Sequence, residues 1–331
     1  MIKIGDEIAV YPKEIMQGIS FIIVNYYTSH LVEKLIRSIK RFDSANVSDI
    51  IVIDNTTDVK ARFGSKIKNV RIHYTNRNLG FGKACNIGAK LALHENIIFI
   101  NPDSLLFEPK FHPKLIESFN KFPKNTIFTG RVLNKNKKQV CNTFKFSNFI
   151  NIYFENTIGR IVGISIPLLS NKANTYLETS EAEIDWVSGA FLCIKKEFFF
   201  ELGGFDEQLF MYEEDAELCF HARQRNGKVI FNPQIAILHL GGEASKKNKE
   251  LLSFIGMKSS LYFYEKRNNK IKPILLNKFI SMTWHMIYLN FMILAHILPS
   301  IFFKRKIFWK NLLTISRKHN NTPIKDLVDY L

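Results

Sequence analysis
Apolar positions in the first hundred residues follow two alternating rhythms. Ile19-Ser-Phe-Ile-Ile-Val24, Asp49-Ile-Ile-Val-Ile-Asp54, Val70-Arg-Ile-His-Tyr74 and Asn96-Ile-Ile-Phe-Ile100 are short β-branched and aromatic runs, each closed by polar residues. Such runs read as buried strands. Between them, His30 to Arg41 places Leu31, Leu35, Ile36 and Ile39 at helical spacing, and Phe81 to His94 reads as a helix with small residues on one face. Strands alternating with helices predict an α/β domain built on a mostly parallel central sheet flanked by helices. Such sheets bind ligands at the carboxyl ends of their strands, where Asn25, Asp54 and Asp103 fall.

Further along, Asn134 to Glu183 is rich in Lys, Asn and aromatics and reads as an insertion shaping one wall of an acceptor site. Glu213, Glu214 and Asp215 open a helix whose apolar stripe includes Leu218, Cys219 and Ala222, and an apolar strand after Pro233 ends at His239-Leu-Gly-Gly242. Beyond about residue 250 the character changes. Phe279–Phe303 is largely apolar but holds His285, Asn290, His296 and Pro299, with Lys266, Arg267, Lys270, Lys272 and Lys278 before it and Lys304, Arg305 and Lys306 after. A clean spanning helix is less polar and less basic on both flanks, so an interfacial segment on anionic lipid is the reading preferred over a span or a subunit-contact helix. The chain thus divides into an extension (1–18), an α/β domain (19–243) and a basic, apolar helical region (244–331).

Charge supports that division. The formal charge is +16, and residues 244–331 carry 16 Lys and Arg against 4 Asp and Glu. The α/β domain is therefore near balance, which argues against a nucleic-acid surface on it. The four cysteines lack the spacing of a zinc cluster or a disulfide framework. Asp6, Glu7, Lys13 and Glu14 interrupt any apolar leader, which predicts a cytoplasmic catalytic domain.

The candidate chemistry is acidic. Asp103, in Asn101-Pro-Asp103, follows a strand end where a carboxylate can hold Mg²⁺ or Mn²⁺, or can simply serve a turn. Asp54 can accept from a nucleobase N–H or cap the next helix. Asn76 to Gly88 sets Gly80 and Gly82 at a helix start, where backbone amides can approach phosphate. Acids at a first helical turn suit the macrodipole, yet three in a row at Glu213, Glu214 and Asp215 exceed that need, and one aimed into a cleft could act as general base. His239 suits a metal or phosphate contact, or a structural place beside its strand.

In this order the motifs resemble the inverting family 2 glycosyltransferases of GT-A fold, in particular their bacterial rhamnosyltransferase-like branch. The resemblance rests on Ile22-Ile-Val-Asn-Tyr26, Ile51-Val-Ile-Asp-Asn55, Asn78-Leu-Gly-Phe81 with Asn86-Ile-Gly88, Asn101-Pro-Asp103, Trp186-Val-Ser-Gly-Ala190, Gly203-Gly-Phe-Asp-Glu207, Glu214-Asp215 and His239-Leu-Gly-Gly242. It implies a GT-A (Rossmann-like) domain, to which the composition beyond residue 243 adds a C-terminal helical membrane-associated extension. Asp215 would be the catalytic base, and Asn25, Tyr26, Asp54, Asn55, Asn78, Gly80 and Lys83 would surround the nucleotide. Asp103 and His239 would serve a divalent metal, Mg²⁺ or Mn²⁺. Asp185, Trp186 and Glu214 would line the sugar and acceptor pocket.

The implied donor is a nucleotide-sugar, with dTDP-rhamnose first and a UDP-linked galactofuranose or N-acetylhexosamine as the alternative. The implied acceptor is a glycan or lipid-linked hydroxyl at the cytoplasmic face of the plasma membrane. Asn101 stands where the family's D-x-D element has its first acid, which weakens the metal expectation. The Q-x-x-R-W element of processive synthases is absent after Asp215, where Arg223-Gln-Arg-Asn226 follows. A catalytically inactive membrane-bound partner protein would not need Asp54, Asp103 and Asp215 all intact.

Overall fold
The computed structural model describes residues 3–4, 7–8, 18–42, 48–64, 67–146, 180–241, 249–268, 311, 314–315, 318–319 and 321–330. Most of the 1–18 extension, the middle of the Asn134–Glu183 insertion, Gly242 and the whole Phe279–Phe303 segment lie outside these residues.

The expected strands form: β1 (Ile19–Asn25), β2 (Ser48–Asp54), β3 (Val70–Tyr74) and β4 (Asn96–Ile100). The chain adds β5 (Thr126–Leu133), β6 (Phe191–Lys195) and β7 (Lys228–His239). Their order in the sheet is β7-β5-β6-β4-β1-β2-β3. Pairing is parallel among β4, β1, β2 and β3 and between β5 and β7, whereas β6 runs antiparallel to both β4 and β5. Reversing β6 between them leaves β5 and β7 running with β4. The carboxyl ends of β1, β2, β4 and β7 therefore share one edge.

Each buried strand sends alternate residues to opposite faces, and both faces are covered. Phe21 and Ile23 face α1 (Ser29–Phe42) and α3 (Phe111–Lys121), through Val32, Leu35, Ile36, Leu115 and Phe119. Ile22, Ile51 and Ile53 face α2 (Phe81–Leu91) and α4 (Glu214–Gln224), through Ala84, Cys85, Ala89, Leu218 and Cys219. The small face of α2 explains its close seat on the sheet: a Cβ on Gly88 would lie 2.4 Å from Ile22 Cγ2.

Sequence character placed a boundary at 243, yet α5 (Lys249–Asn268), just beyond it, docks back on the α/β domain. Leu251, Leu252, Phe254, Ile255 and Phe263 are buried along it, and such a stripe requires a cover. Phe263 meets Phe146 and Phe220, with ring centroids 5.9 Å apart in each pair. Among the described residues no helix is long and apolar enough to cross a membrane.

Candidate active site
Three loops at the carboxyl edge meet around Asp54. Asp54 is fully buried at the end of β2, and its carboxylate is already engaged. Oδ1 accepts from Asn25 Nδ2 at 3.0 Å and from the Thr56 amide at 2.9 Å, while Oδ2 accepts from the Phe63 amide at 2.6 Å. Asn25 Oδ1 accepts in turn from the Thr28 amide and hydroxyl. Asn55 Nδ2 donates to the Gly80 carbonyl at 3.0 Å, Asn78 Oδ1 accepts from the Gly80 amide at 3.1 Å, and the Tyr26 phenol lies beside Asn78. Asn25, Tyr26, Asp54, Asn55, Asn78 and Gly80 thus lie together at this edge. In this arrangement Asp54 first of all knots its own loop.

Gly80 makes the turn into α2 with φ +80°, and a Cβ there would fall 2.1 Å from the Phe210 carbonyl oxygen. No side chain caps the helix start. Lys83 lies on the first turn of α2, but its ammonium is 2.9 Å from Glu207 Oε2. A phosphate contact by Lys83 would have to displace that carboxylate.

The second cluster joins distant segments. Asp103 Oδ1 lies 3.2 Å from His239 Nδ1, and Ser104 Oγ is 3.4 Å from the same nitrogen. The backbone fixes the approach: β7 pairs antiparallel with Ser104–Leu105, and the Leu240 amide donates to the Asp103 carbonyl at 2.8 Å. One carboxylate and one imidazole at a strand edge suit a divalent cation whose other ligands are phosphate oxygens and water. Among the described residues no group of three or more His, Cys, Asp or Glu converges on one point.

Asp215 forms the third element, on the first turn of α4. Tyr212 and Glu213 before it both take left-handed backbone with φ 70°, a conformation costing about 1–3 kcal/mol per residue outside glycine. The turn swings Asp215 toward β6. Its Oδ2 accepts from the Gly189 amide at 2.8 Å and its Oδ1 from the Ala216 amide at 2.9 Å. The Asn101 amide donates to the Ala190 carbonyl at 3.1 Å. The Ser188–Ala190 turn is therefore held by the Asn101-Pro-Asp103 turn on one side and by Asp215 on the other. Burial pushes the Asp215 carboxyl above its ordinary value, although both amides pull it down. A carboxylate so raised is a better proton acceptor.

Glu214, next to it, is turned inward. It is 5% exposed, lies beside Gly82 of α2, and its Oε2 has no hydrogen-bond partner among the described residues. That burial takes Glu214 away from any acceptor in solution. Burial, and then the Asp215 charge, push its carboxyl well above the ordinary value. A carboxyl raised on folding contributes stability below its unfolded-state value, and that contribution is lost as pH rises through the folded-state value. Glu214→Gln removes this titration, so as pH rises above the ordinary carboxylate range it should lose less melting temperature than the wild type. Each unit of pKa difference is worth about 1.4 kcal/mol, or about 3–6 °C for a domain of this size. Equal slopes in a pH series of thermal melts would remove Glu214 from this role.

Asp185 and Trp186, just past the insertion, pack on residues 144–146 of its first part. Trp186 stacks on Phe144 with centroids 4.3 Å apart, and its Nε1 donates to the Lys145 carbonyl at 3.1 Å. Asp185 Oδ2 accepts from the Phe146 amide at 3.0 Å. Asn86 carried no assigned role in the sequence reading. Its side chain donates to the Phe205 carbonyl and accepts from the Phe205 amide, each at 2.9 Å, which ties α2 to the loop leading into α4. Its place in Asn86-Ile-Gly88 was the available signal.

Comparison with known proteins gives the same reading. Residues 20–178 match the family model described as glycosyl transferase family 2. The chain is similar to a low-salt glycan biosynthesis hexosyltransferase of Haloferax volcanii, 24% identical over 64% of this chain and 63% of that one. It is also similar to an N-acetylglucosaminyl-diphospho-decaprenol L-rhamnosyltransferase of Mycobacterium tuberculosis, 23% identical over 66% of this chain and 74% of that one. The first of these relatives is matched over less than two thirds of its length. A crystal structure of GalNAc-T7 with UDP, GalNAc and Mn²⁺ superposes on 70% of this chain and 45% of its own, with 18% identity and a TM-score of 0.49, too partial to carry an argument. Residues 20–178 of this chain thus carry a glycosyl transferase family 2 domain.

Proposed function
We propose that this protein is an inverting glycosyltransferase that moves a sugar from a nucleotide-diphosphate donor to a hydroxyl of a glycan or lipid-linked acceptor. The observation that carries the reading is the Ser188–Ala190 turn, which joins the Asp103 turn and the Asp215 carboxylate within a few residues. A leaving diphosphate and an attacking hydroxyl need their two groups that close together.

In this reading the Asn25–Asp54–Asn78 edge receives the nucleoside, and the diphosphate lies toward Asp103 and His239. Asp215 takes the proton of the acceptor hydroxyl as its oxygen bonds the anomeric carbon from the face opposite the leaving group. The bond from that carbon to the diphosphate oxygen breaks, and the nucleoside diphosphate leaves with the electron pair. A bound Mg²⁺ or Mn²⁺ would offset the charge on that leaving group. The strained Tyr212–Glu213 turn fixes Asp215 before substrate arrives, so little reorganisation is needed at reaction.

L-Rhamnose from dTDP-rhamnose is the first donor to test, supported by the rhamnosyltransferase relative. A hexose from a UDP donor is the second, supported by the hexosyltransferase relative. The decaprenol in the rhamnosyltransferase relative's name, and the basic residues around Phe279–Phe303, support a lipid-linked acceptor at an anionic membrane surface.

The test is a thermal-shift screen of nucleotide-sugars with Mg²⁺ or Mn²⁺, followed by transfer assays with the stabilising donors, since a ligand of the native state raises the melting temperature. No stabilisation by any nucleotide-sugar would sink the reading. Asp103→Ala should lose the metal-dependent part of nucleotide binding, at least about tenfold in affinity, with binding under chelation little changed. If chelation leaves wild-type affinity and turnover unaltered, Asp103 and His239 have no metal role.

A further inference from the structure
Helix α5 lies outside the span matched by the family model, and its polar contacts converge on the segment that aims Asp215. Ser259 Oγ donates to the Met211 carbonyl at 2.9 Å, and Ser260 Oγ donates to Glu213 Oε1 at 2.6 Å. The Tyr212 ring lies over Gly256. Lys266 Nζ donates to Asp206 Oδ2 at 2.8 Å and to Glu217 Oε1 at 2.5 Å, and the Tyr262 hydroxyl donates to Asp206 Oδ2 at 2.9 Å. Residues 256, 259, 260, 263 and 266 follow helical spacing, so one face of α5 makes these contacts.

We propose that α5 is part of the catalytic apparatus, with Lys266 as a positioning residue that fastens both ends of the 206–217 segment and so holds the strained turn that aims Asp215. The proposal rests on the reading of Asp215 as the base.

Apolar burial would suffice to seat the helix, through Leu251, Leu252, Phe254, Ile255 and Phe263. It would not direct four hydrogen-bonding side chains at Asp206, Met211, Glu213 and Glu217, which bracket Asp215. Two consecutive left-handed residues, neither of them glycine, persist only where their surroundings over-determine them. Ser260 and Gly256 engage those same two residues from α5. Lys266 reaches past them, bridging the loop before the turn to the helix after it. Glu217 is 1% exposed, so its carboxylate depends on the cation brought by α5 and on His221, whose Nε2 lies 3.2 Å away.

The experiment uses the full chain with Lys266→Met and Lys266→Arg. Hydrogen exchange of the 206–217 peptide, thermal shift with dTDP and with UDP, and transfer kinetics with the stabilising donor are measured together. Lys266→Met should speed exchange within 206–217 while leaving β1, β2 and β4 protected, keep the nucleotide-induced shift, and lower kcat at least about tenfold with little change in donor KM. Lys266→Arg, which keeps the charge and the donors, should recover most of the rate. Normal kcat with faster exchange, unaltered exchange, or loosening that spreads through the sheet would each overturn the proposal. If Lys266→Met fails to fold, Ser260→Ala is read by the same measurements and criteria. Should the wild type transfer no sugar at all, the functional reading fails, and the exchange result alone then decides whether α5 holds the turn.

Discussion
Asp215→Asn should reduce sugar transfer by about 10²–10⁴ while leaving nucleotide binding close to wild type. The single amide oxygen of Asn can keep one of the two backbone bonds that the carboxylate accepts, from Gly189 or from Ala216, so the local fold should survive with one bond lost. What it cannot do is take a proton. The acid side of the pH–rate profile carries the same information. Asp215 must be ionised to act, and burial places its titration above that of an ordinary aspartate. Turnover should therefore fall, as pH drops, at a pH above the usual value of about 3.9. Near-normal turnover in folded Asp215→Asn would remove it from the role. Glu213 would then be examined next, because Glu214 is buried against α2.

Asp54→Ala should destabilise the whole domain, by at least about 3 kcal/mol. The substitution strands Asn25 Nδ2 and the Thr56 and Phe63 amides, three donors grouped around a fully buried acceptor. Each buried donor left without a partner costs about 1–3 kcal/mol, and the costs are not strictly additive. In a domain of this size such a loss lowers the melting temperature by roughly 6–12 °C. Asp54→Asn keeps one acceptor and should fall between the two. A change of only a degree or so in Asp54→Ala would show that the loop stands without this knot, leaving nucleotide recognition as the residue's main role.

The two predictions separate kinds of acid that look alike along the chain. Asp54 and Asp103 both follow apolar strands, and both invited a ligand-binding reading. Asp54 proved to be enclosed by its own loop. Asp103 instead meets His239, a residue on another strand altogether. The Glu213–Asp215 run was ambiguous for a related reason. Its three carboxylates part company only because Tyr212 and Glu213 enter the left-handed region, which sends Glu213 to Ser260, Glu214 inward and Asp215 to Gly189.

By itself the sequence determined where β1 to β4 lie and which residues end them, because a buried strand writes its length into an unbroken apolar run. It also put Asn25, Asp54 and Asp103 at or just past those strand ends. Tertiary structure decided the rest: the antiparallel β6 that divides the parallel strands, the meeting of Asp103 with His239, and the docking of α5 on the turn before Asp215. Lys266 has no local signature, for a lysine in a basic region looks the same whether solvated or bound between Asp206 and Glu217. Strand direction, side-chain pairing and helix docking are set by contacts between segments far apart in the chain. Periodicity reports only on burial within each segment, and so it cannot name the partner that does the burying.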